Sequence, residues 1–329
     1  MDLTWVYLIG GLIFVAVGAE LLGKSAEGIA HELKRAYVVG AVLLALCGNL
    51  PELAISISAI IAGHPTMALA SIIGSVAVNI LVVLGLCAIC GGWKTDLKFD
   101  SKKLQADLPL LVGAVGFFIF IMLSSSHEMN LFVGIILIFT YLLLLRFMLF
   151  SHKELFMSDR IEKGEDKNSS KSLRYWAMLF VFSSIIVAVS AHFLVMGVEE
   201  LFIERDILNI GDPEIIEKFV GFTILALAGN LPEHLAAIRA AVNKKGEIAV
   251  GNAIGSASQA VYLILGIVII FAWFFSPGGL VMDIDTIYLA VFAISVLLAI
   301  VIVADGKLTW FEGWICVMVY IMTALALLF

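Results

Sequence analysis

One apolar segment occurs twice in this chain, and each time a proline and an acid interrupt it. The first copy reads Gly48-Asn49-Leu50-Pro51-Glu52 and continues to Gly74-Ser75 and Leu84-Gly85. The second reads Gly229-Asn230-Leu231-Pro232-Glu233 and continues to Gly255-Ser256 and Leu265-Gly266. Aligned without a gap, residues 39–85 and 220–266 are identical at 18 of 47 positions. Such a duplication restricts the fold to two halves built alike, each carrying a carboxylate into hydrocarbon surroundings. An ionisable group at that depth is costly and marks a functional site. A duplicated, proline-interrupted apolar segment marks the binding site of a secondary transporter.

The rest of the chain fits a bilayer. It is 62% hydrophobic and 14% charged, against about 45–50% apolar residues in a soluble domain. Apolar runs long enough to cross a membrane recur along its length. They predict an all-α integral membrane protein with ten transmembrane helices, at 4–23, 37–62, 66–90, 107–124, 129–149, 175–201, 215–242, 247–273, 285–303 and 308–328. The N-terminal stretch has no Lys or Arg before Lys24, so it is expected to be a retained span and not a cleaved signal. The connections after spans 1, 3, 5, 7 and 9 hold 18 of the 20 Lys and Arg, leaving Arg205 and Lys218 on the other side. The positive-inside rule then puts those connections in the cytoplasm and both termini outside. Five spans per half is odd, so the second half enters from the opposite face. The expected domains are two inverted five-helix repeats, residues 1–150 and 174–329, joined by a polar cytoplasmic linker, 151–173.

Pro51 and Pro232 lack the N–H that a helix would direct at the carbonyls of Cys47 and Ala228, and their rings clash with those carbonyls. Helices 2 and 7 are therefore expected to be broken there, with carbonyl oxygens freed in mid-membrane. Such backbone is tolerated only beside protein or a wet cavity. Asn49 and Glu52 are three residues apart and share a face, as do Asn230 and Glu233. Two-fold symmetry brings the breaks together. The outcome is an all-oxygen set suited to a hard cation: Glu52, Glu233, Asn49 and Asn230, with the Cys47 and Ala228 carbonyls. Calcium takes six to eight oxygens in flexible geometry, and two glutamates balance its charge. Desolvated neighbouring carboxylates also resist joint ionisation, so protons and a divalent cation compete for the same oxygens. His234, beside Glu233, is expected to hydrogen-bond behind it, with a place on a proton path as the alternative.

Spans 3 and 8 supply a second layer. Ser75 and Asn79 share one helical face, and Ser256 and Gln259 another; all four are expected to line the site. Gly74 and Gly255 are expected to let these spans approach the broken helices. Spans 1 and 6 echo each other weakly around Glu20 and Glu199, as mobile walls of a pathway or as acids facing water. Acidic residues 204–217 (Glu204, Asp206, Asp212, Glu214, Glu217) lie on the expected outer face. Cys87 and Cys90 form a CxxC without a second pair or a histidine cluster, a weak metal signal. No basic domain is present to bind nucleic acid. An enzyme is not expected: His31-Glu32-Leu33-Lys34-Arg35 fails HExxH, and GxSxG is absent.

The repeated segments resemble the two alpha-repeats of the calcium/cation antiporter superfamily. The match is closest to the cation/proton exchanger branch, with its GNAxE and GNAxEH motifs; here they read Gly48-Asn49-Leu50-Pro51-Glu52 and Gly229-Asn230-Leu231-Pro232-Glu233-His234. The resemblance implies Ca2+/H+ antiport by alternating access. Glu52 and Glu233 would be shared calcium and proton ligands, Ca2+ and H+ the transported ions, the lipid bilayer the setting, and no cofactor is implied. Gly48 and Asn49 stand where sodium-coupled relatives carry hydroxyls, although the Leu-Pro before each Glu is more like that branch. A sodium-coupled calcium exchanger is thus the alternative, and a cation channel with an acidic filter a third. A compact chain of this kind is expected in a prokaryotic cell membrane.

Overall fold

A computed structural model describes residues 3–32, 37–104, 107–123, 127–148, 172–275 and 286–328. The linker expected over 151–173 falls outside the described residues up to position 171. The described chain is almost wholly helical: α1 (Leu3–Glu32), α2 (Tyr37–Ile61), α3 (Pro65–Ala77), α4 (Leu84–Gly92), α5 (Asp107–Leu123), α6 (His127–Arg146), α7 (Leu173–Val198), α8 (Pro213–Val220), α9 (Ala226–Gly229), α10 (Leu231–Val242), α11 (Gly246–Gln259), α12 (Gly266–Phe275), α13 (Thr286–Val303) and α14 (Trp310–Ala326). Four π-turns splice consecutive helices or extend them: Val78–Val83, Glu199–Glu204, Gly221–Leu225 and Ala260–Leu265. The expected spans fall largely on helix, apart from Asn230 and end residues such as Leu308, with 124, 149 and 285 outside the described residues. Five of the helical stretches are long and apolar enough to cross a bilayer unaided, and a sixth is the bent pair 213–229 and 231–242. Four shorter apolar helices lie at Cys47–Ile61, Asp107–Ile119, Leu131–Arg146 and Trp310–Ala326.

Burial separates a core from a rim. In the 65–92 stretch, 83% of the most apolar window is buried, against 22% for α1 and 33% for the α7 stretch. The α1 and α7 helices are apolar on their outsides too (Ile13, Phe14, Met178 and Phe182 are exposed), as lipid-facing helices must be. They lie along each other because glycines remove the intervening side chains. A methyl on Gly11 would stand 2.7 Å from the Leu194 backbone nitrogen, and one on Gly197 2.6 Å from that of Leu8. Small residues allow this close approach where no hydrophobic drive separates helix from lipid.

The connections gather at two ends. At one end, β1 (Leu97–Lys98) and β2 (Lys307–Leu308) pair antiparallel, with Leu97 opposite Leu308. Lys244 reaches the same region, donating to the Gly91 carbonyl and, at 2.8 and 2.9 Å, to the Thr95 carbonyl and hydroxyl. At the other end lie the α2–α3 turn, the π-turn after α7 and the start of α8. There Arg205 pairs with Glu200 and donates to Thr4 Oγ1 at 2.9 Å, tying the end of α7 to the start of α1. Asp212 caps α8 by accepting from the Glu214 amide at 2.9 Å, with Pro213 in the first turn, where its missing N–H costs nothing.

The two prolines behave differently, contrary to the expectation of two broken helices. The α2 helix runs on through Pro51 without interruption. The second copy does break: Asn230 leaves helical geometry (φ −109°, ψ 6°), and α10 departs from the preceding segment at 64°. The reason is local. Pro232 sits in the first turn of α10, where it starts a helix readily, whereas Pro51 is held inside a helix that its packing keeps intact.

Candidate cation site

The site forms where the middle of α2 meets the break between α9 and α10. Asn49 and Glu52 project from α2 one turn apart, and both are buried. Ser75 Oγ donates to Glu52 Oε1, and so does Asn230 Nδ2. Asn230 Nδ2 also reaches Ser75 Oγ at 2.8 Å, while Asn79 Nδ2 lies at 3.5 Å from that hydroxyl. Residues of both copies thus close one polar triangle around Glu52. The second acid has the matching partner: Ser256 Oγ donates to Glu233 Oε2 at 2.9 Å. The spacing is the same in both copies, a serine 23 residues beyond its glutamate. Asn49 Nδ2 donates to Gln259 Oε1, which joins α2 to the end of α11.

Each acid packs against the glycine of the other copy. Glu233 Oε1 lies directly on Gly48, leaving no room for a methyl there. A methyl on Gly229 would stand 3.0 Å from Glu52 Cγ. The two carboxylates are therefore brought to one place across the copies. Of the remaining expectations, Gly74 does pack against span 7, at the backbone of Phe222. Gly255 has no described atom within contact range. His234 is buried, yet its Nε2 has no hydrogen-bond partner among the described residues. The Cys47 carbonyl faces position 51 within a continuous helix, where proline offers no donor; the Ala228 carbonyl lies just before the break at Asn230.

Two oxygens decide what the arrangement can hold. Glu52 Oε2 and Asn230 Oδ1 are buried acceptors without a donor among the described residues. A buried acceptor left so is costly, and a hard cation supplies what hydrogen does not. The donor set around it is oxygen only, from two carboxylates, amides and hydroxyls. Among the described residues no group of three or more His, Cys, Asp and Glu is placed to hold a metal.

Two features were not anticipated. The π-turns Val78–Val83 and Ala260–Leu265 follow Ser75 and Ser256 at equivalent places in the two copies. π-turns are rare and concentrate at functional sites; here they set the pitch of the helices that present Ser75, Asn79, Ser256 and Gln259. Their only trace in the sequence is the matched Leu84-Gly85 and Leu265-Gly266 where they end. The second feature is a contact of His64 with Glu199 and Glu217 at the far end of α2.

Comparison with known proteins gives the same picture over the full length. The family described as sodium/calcium exchanger protein matches residues 3–150 and 175–329. A Ca(2+)/H(+) antiporter of Aphanothece halophytica is 27% identical, over 100% of this chain and 91% of its own. A crystal structure of the selenium-substituted Ca2+/H+ antiporter protein YfkE superposes with a TM-score of 0.77 at 25% identity, covering 99% of this chain and 92% of that one. A structure of the sodium-calcium exchanger NCX_Mj gives a TM-score of 0.63, also at 25% identity, covering 99% and 98%.

Proposed function

The chain belongs to the sodium/calcium exchanger protein family, and on that footing we propose that it is a secondary antiporter exchanging Ca2+ for H+. The observation that carries the reading is the triangle of Ser75, Glu52 and Asn230, drawn from both copies and holding two acceptor oxygens without donors among the described residues. In this reading Ca2+ is bound by Glu52 and Glu233, with Asn49, Asn230 and the Cys47 and Ala228 carbonyls completing the shell. Ser75, Asn79, Ser256 and Gln259 orient those groups. Protonation of the two carboxylates removes the anionic oxygens and releases the cation, so each ion excludes the other from one set of atoms. Movement between faces with the site filled by one or the other yields antiport.

The architecture proposed is ten spans in two inverted five-helix repeats, residues 1–150 and 174–329, with 151–173 as linker. Its support is the sorting of connections. Those after spans 3, 7 and 9 meet at β1, β2 and Lys244, and those after spans 2 and 6 meet at His64. This is the division that the Lys and Arg distribution implies, and it makes the His64 end extracytoplasmic, with both termini, in a prokaryotic cell membrane. Sodium-coupled exchange is the less favoured reading, since the TM-score to NCX_Mj is 0.63 against 0.77 to YfkE.

The test is Ca2+ uptake into sealed vesicles driven by an imposed pH gradient without sodium, for the wild type and for Glu52→Gln. Uphill uptake lost in the variant is the expected result. Uptake that needs a sodium gradient would establish the alternative, and flux that never runs uphill would end both.

A further inference from the structure

His64 sits in a rigid turn at the extracytoplasmic end of α2. Backbone bonds hold that turn: Ala62 to Ser58, Gly63 to Ile60 and His64 to Ala59, at 2.9, 3.0 and 2.9 Å. Gly63 takes φ 92°, a left-handed conformation that favours glycine. The imidazole is therefore fixed to the helix that carries Glu52, and it is mostly buried, at 15% exposure. Two carboxylates face its two nitrogens. Glu217 Oε1 lies 2.8 Å from Nδ1, and Glu199 Oε1 lies 3.2 Å from Nε2.

A neutral imidazole carries one N–H and one lone pair. With a carboxylate oxygen at each nitrogen, a neutral ring would oppose one lone pair to another. The imidazolium gives Glu217 a hydrogen bond at Nδ1 and sets a positive charge 3.2 Å from Glu199, although Nε2 itself has no partner of hydrogen-bond geometry among the described residues. The pKa of His64 is raised above its ordinary value, first by its hydrogen bond to Glu217 and further by Glu199, against the opposing effect of burial. The charged neighbours on the packed elements are otherwise engaged: Lys218 pairs with Glu214 at 2.7 Å, and Arg205 pairs with Glu200.

The three residues come from three separate parts of the chain. Glu199 ends α7, whose long partner is α1. Glu217 lies on α8, which leads through the Gly221–Leu225 π-turn to the break at Asn230 and so to Glu52. We propose that His64, Glu199 and Glu217 form a second proton site, separate from the cation site, which latches the extracytoplasmic end shut while His64 holds its proton. The proposal rests on the sidedness and exchange proposed above. The closed state binds this proton more tightly than the open one, so protons arriving from outside shift the population towards closure on that side. When the proton leaves, the positive charge between the two carboxylates is lost and one of them is left against an unprotonated nitrogen, so the contact opens. External acid thereby commits a proton-loaded carrier to the inward transition, with His64 acting in the pH range natural to histidine.

Spin labels at Ile61→Cys and Ile207→Cys, both exposed positions, with exposed Cys90 replaced by Ser, report the opening of this end. Distances measured by pulsed EPR in detergent without Ca2+ are expected to be short and narrow at acidic pH. A longer population should grow as pH rises. His64→Gln should abolish that pH response, and Glu217→Gln, which keeps the imidazole, should shift it to lower pH. A distance distribution insensitive to pH in the wild type overturns the latch, as does a wild-type response surviving in His64→Gln. Because no Ca2+ flux is read, the outcome is independent of whether the cargo and coupling ion are assigned correctly.

Discussion

Replacing Pro51 by alanine separates what the fold needs from what the ion needs. Pro51 lies inside a helix that remains helical from Tyr37 to Ile61, a position where proline costs up to about 3 kcal/mol against alanine. Pro51→Ala returns an N–H aimed at the buried Cys47 carbonyl and removes the ring clash. The expected gain in stability is about 1–3 kcal/mol, with part of the proline strain already relaxed in the native helix. The carbonyl, once hydrogen-bonded, gives up a net bond worth about 0.5–1.5 kcal/mol to reach an ion. Half-saturation for Ca2+ should accordingly rise about 2- to 10-fold. Pro232→Ala is the control. Pro232 stands in the first turn of α10 behind the non-helical Asn230, where the missing donor would be orphaned anyway, so stability should hardly change. The measurements are equilibrium unfolding in detergent and initial rates of proton-driven 45Ca2+ uptake against Ca2+ concentration. If Pro51→Ala is no more stable than Pro232→Ala, or is stabilised with unchanged half-saturation, the Cys47 carbonyl is not being held free for a cation.

Glu52→Gln retains an acceptor for Ser75 and Asn230, so it should fold normally but lose uphill uptake; breaking a buried charge interaction costs about 3–5 kcal/mol, or roughly 10²- to 10⁴-fold in affinity. Gly48→Ala should abolish exchange, because its methyl meets Glu233 Oε1, whereas Gly229→Ala meets the aliphatic Glu52 Cγ at 3.0 Å and should leave partial activity; equal losses in paired uptake assays would contradict the contact. His64 has a raised pKa in the folded protein, so its stabilisation is full below its unfolded value of about 6.5 and disappears as pH rises through the folded value. Melting temperature should fall over that window in the wild type and not in His64→Gln. Lys244→Met removes three contacts to Gly91 and Thr95 and should lower stability by about 1–2 kcal/mol, measured by the same unfolding assay.

The spans were legible because crossing hydrocarbon demands long apolar runs, and few other structures require them. The expected 37–62, 66–90 and 247–273 became Tyr37–Ile61, 65–92 and 246–275. The first span was expected to stop at 23, before Lys24. The helix instead continues to Glu32, since Lys, Glu and Ala sustain a helix once it has left the bilayer. The meeting of the two glutamates with residues of the opposite copy was legible because an acid in an apolar run is expensive and a repeat marks it twice. What could not be seen has a common cause. Pro51 looks like Pro232 in sequence, but packing decides whether a helix breaks. The π-turns have no compositional mark, and His64, Glu199 and Glu217 are brought together only by the tertiary fold.

A π-turn is one residue of slack wound into a rod. Val78–Val83 and Ala260–Leu265 each put such slack immediately beyond a serine that touches a site glutamate. Slack of this sort can travel: moving it one step along the helix swings the residue it passes by about 100° without lengthening the rod. Each of the two copies thus has a means of turning the side chains that the slack passes while the ends of its helix stay anchored, alongside any larger movement of the helices around it.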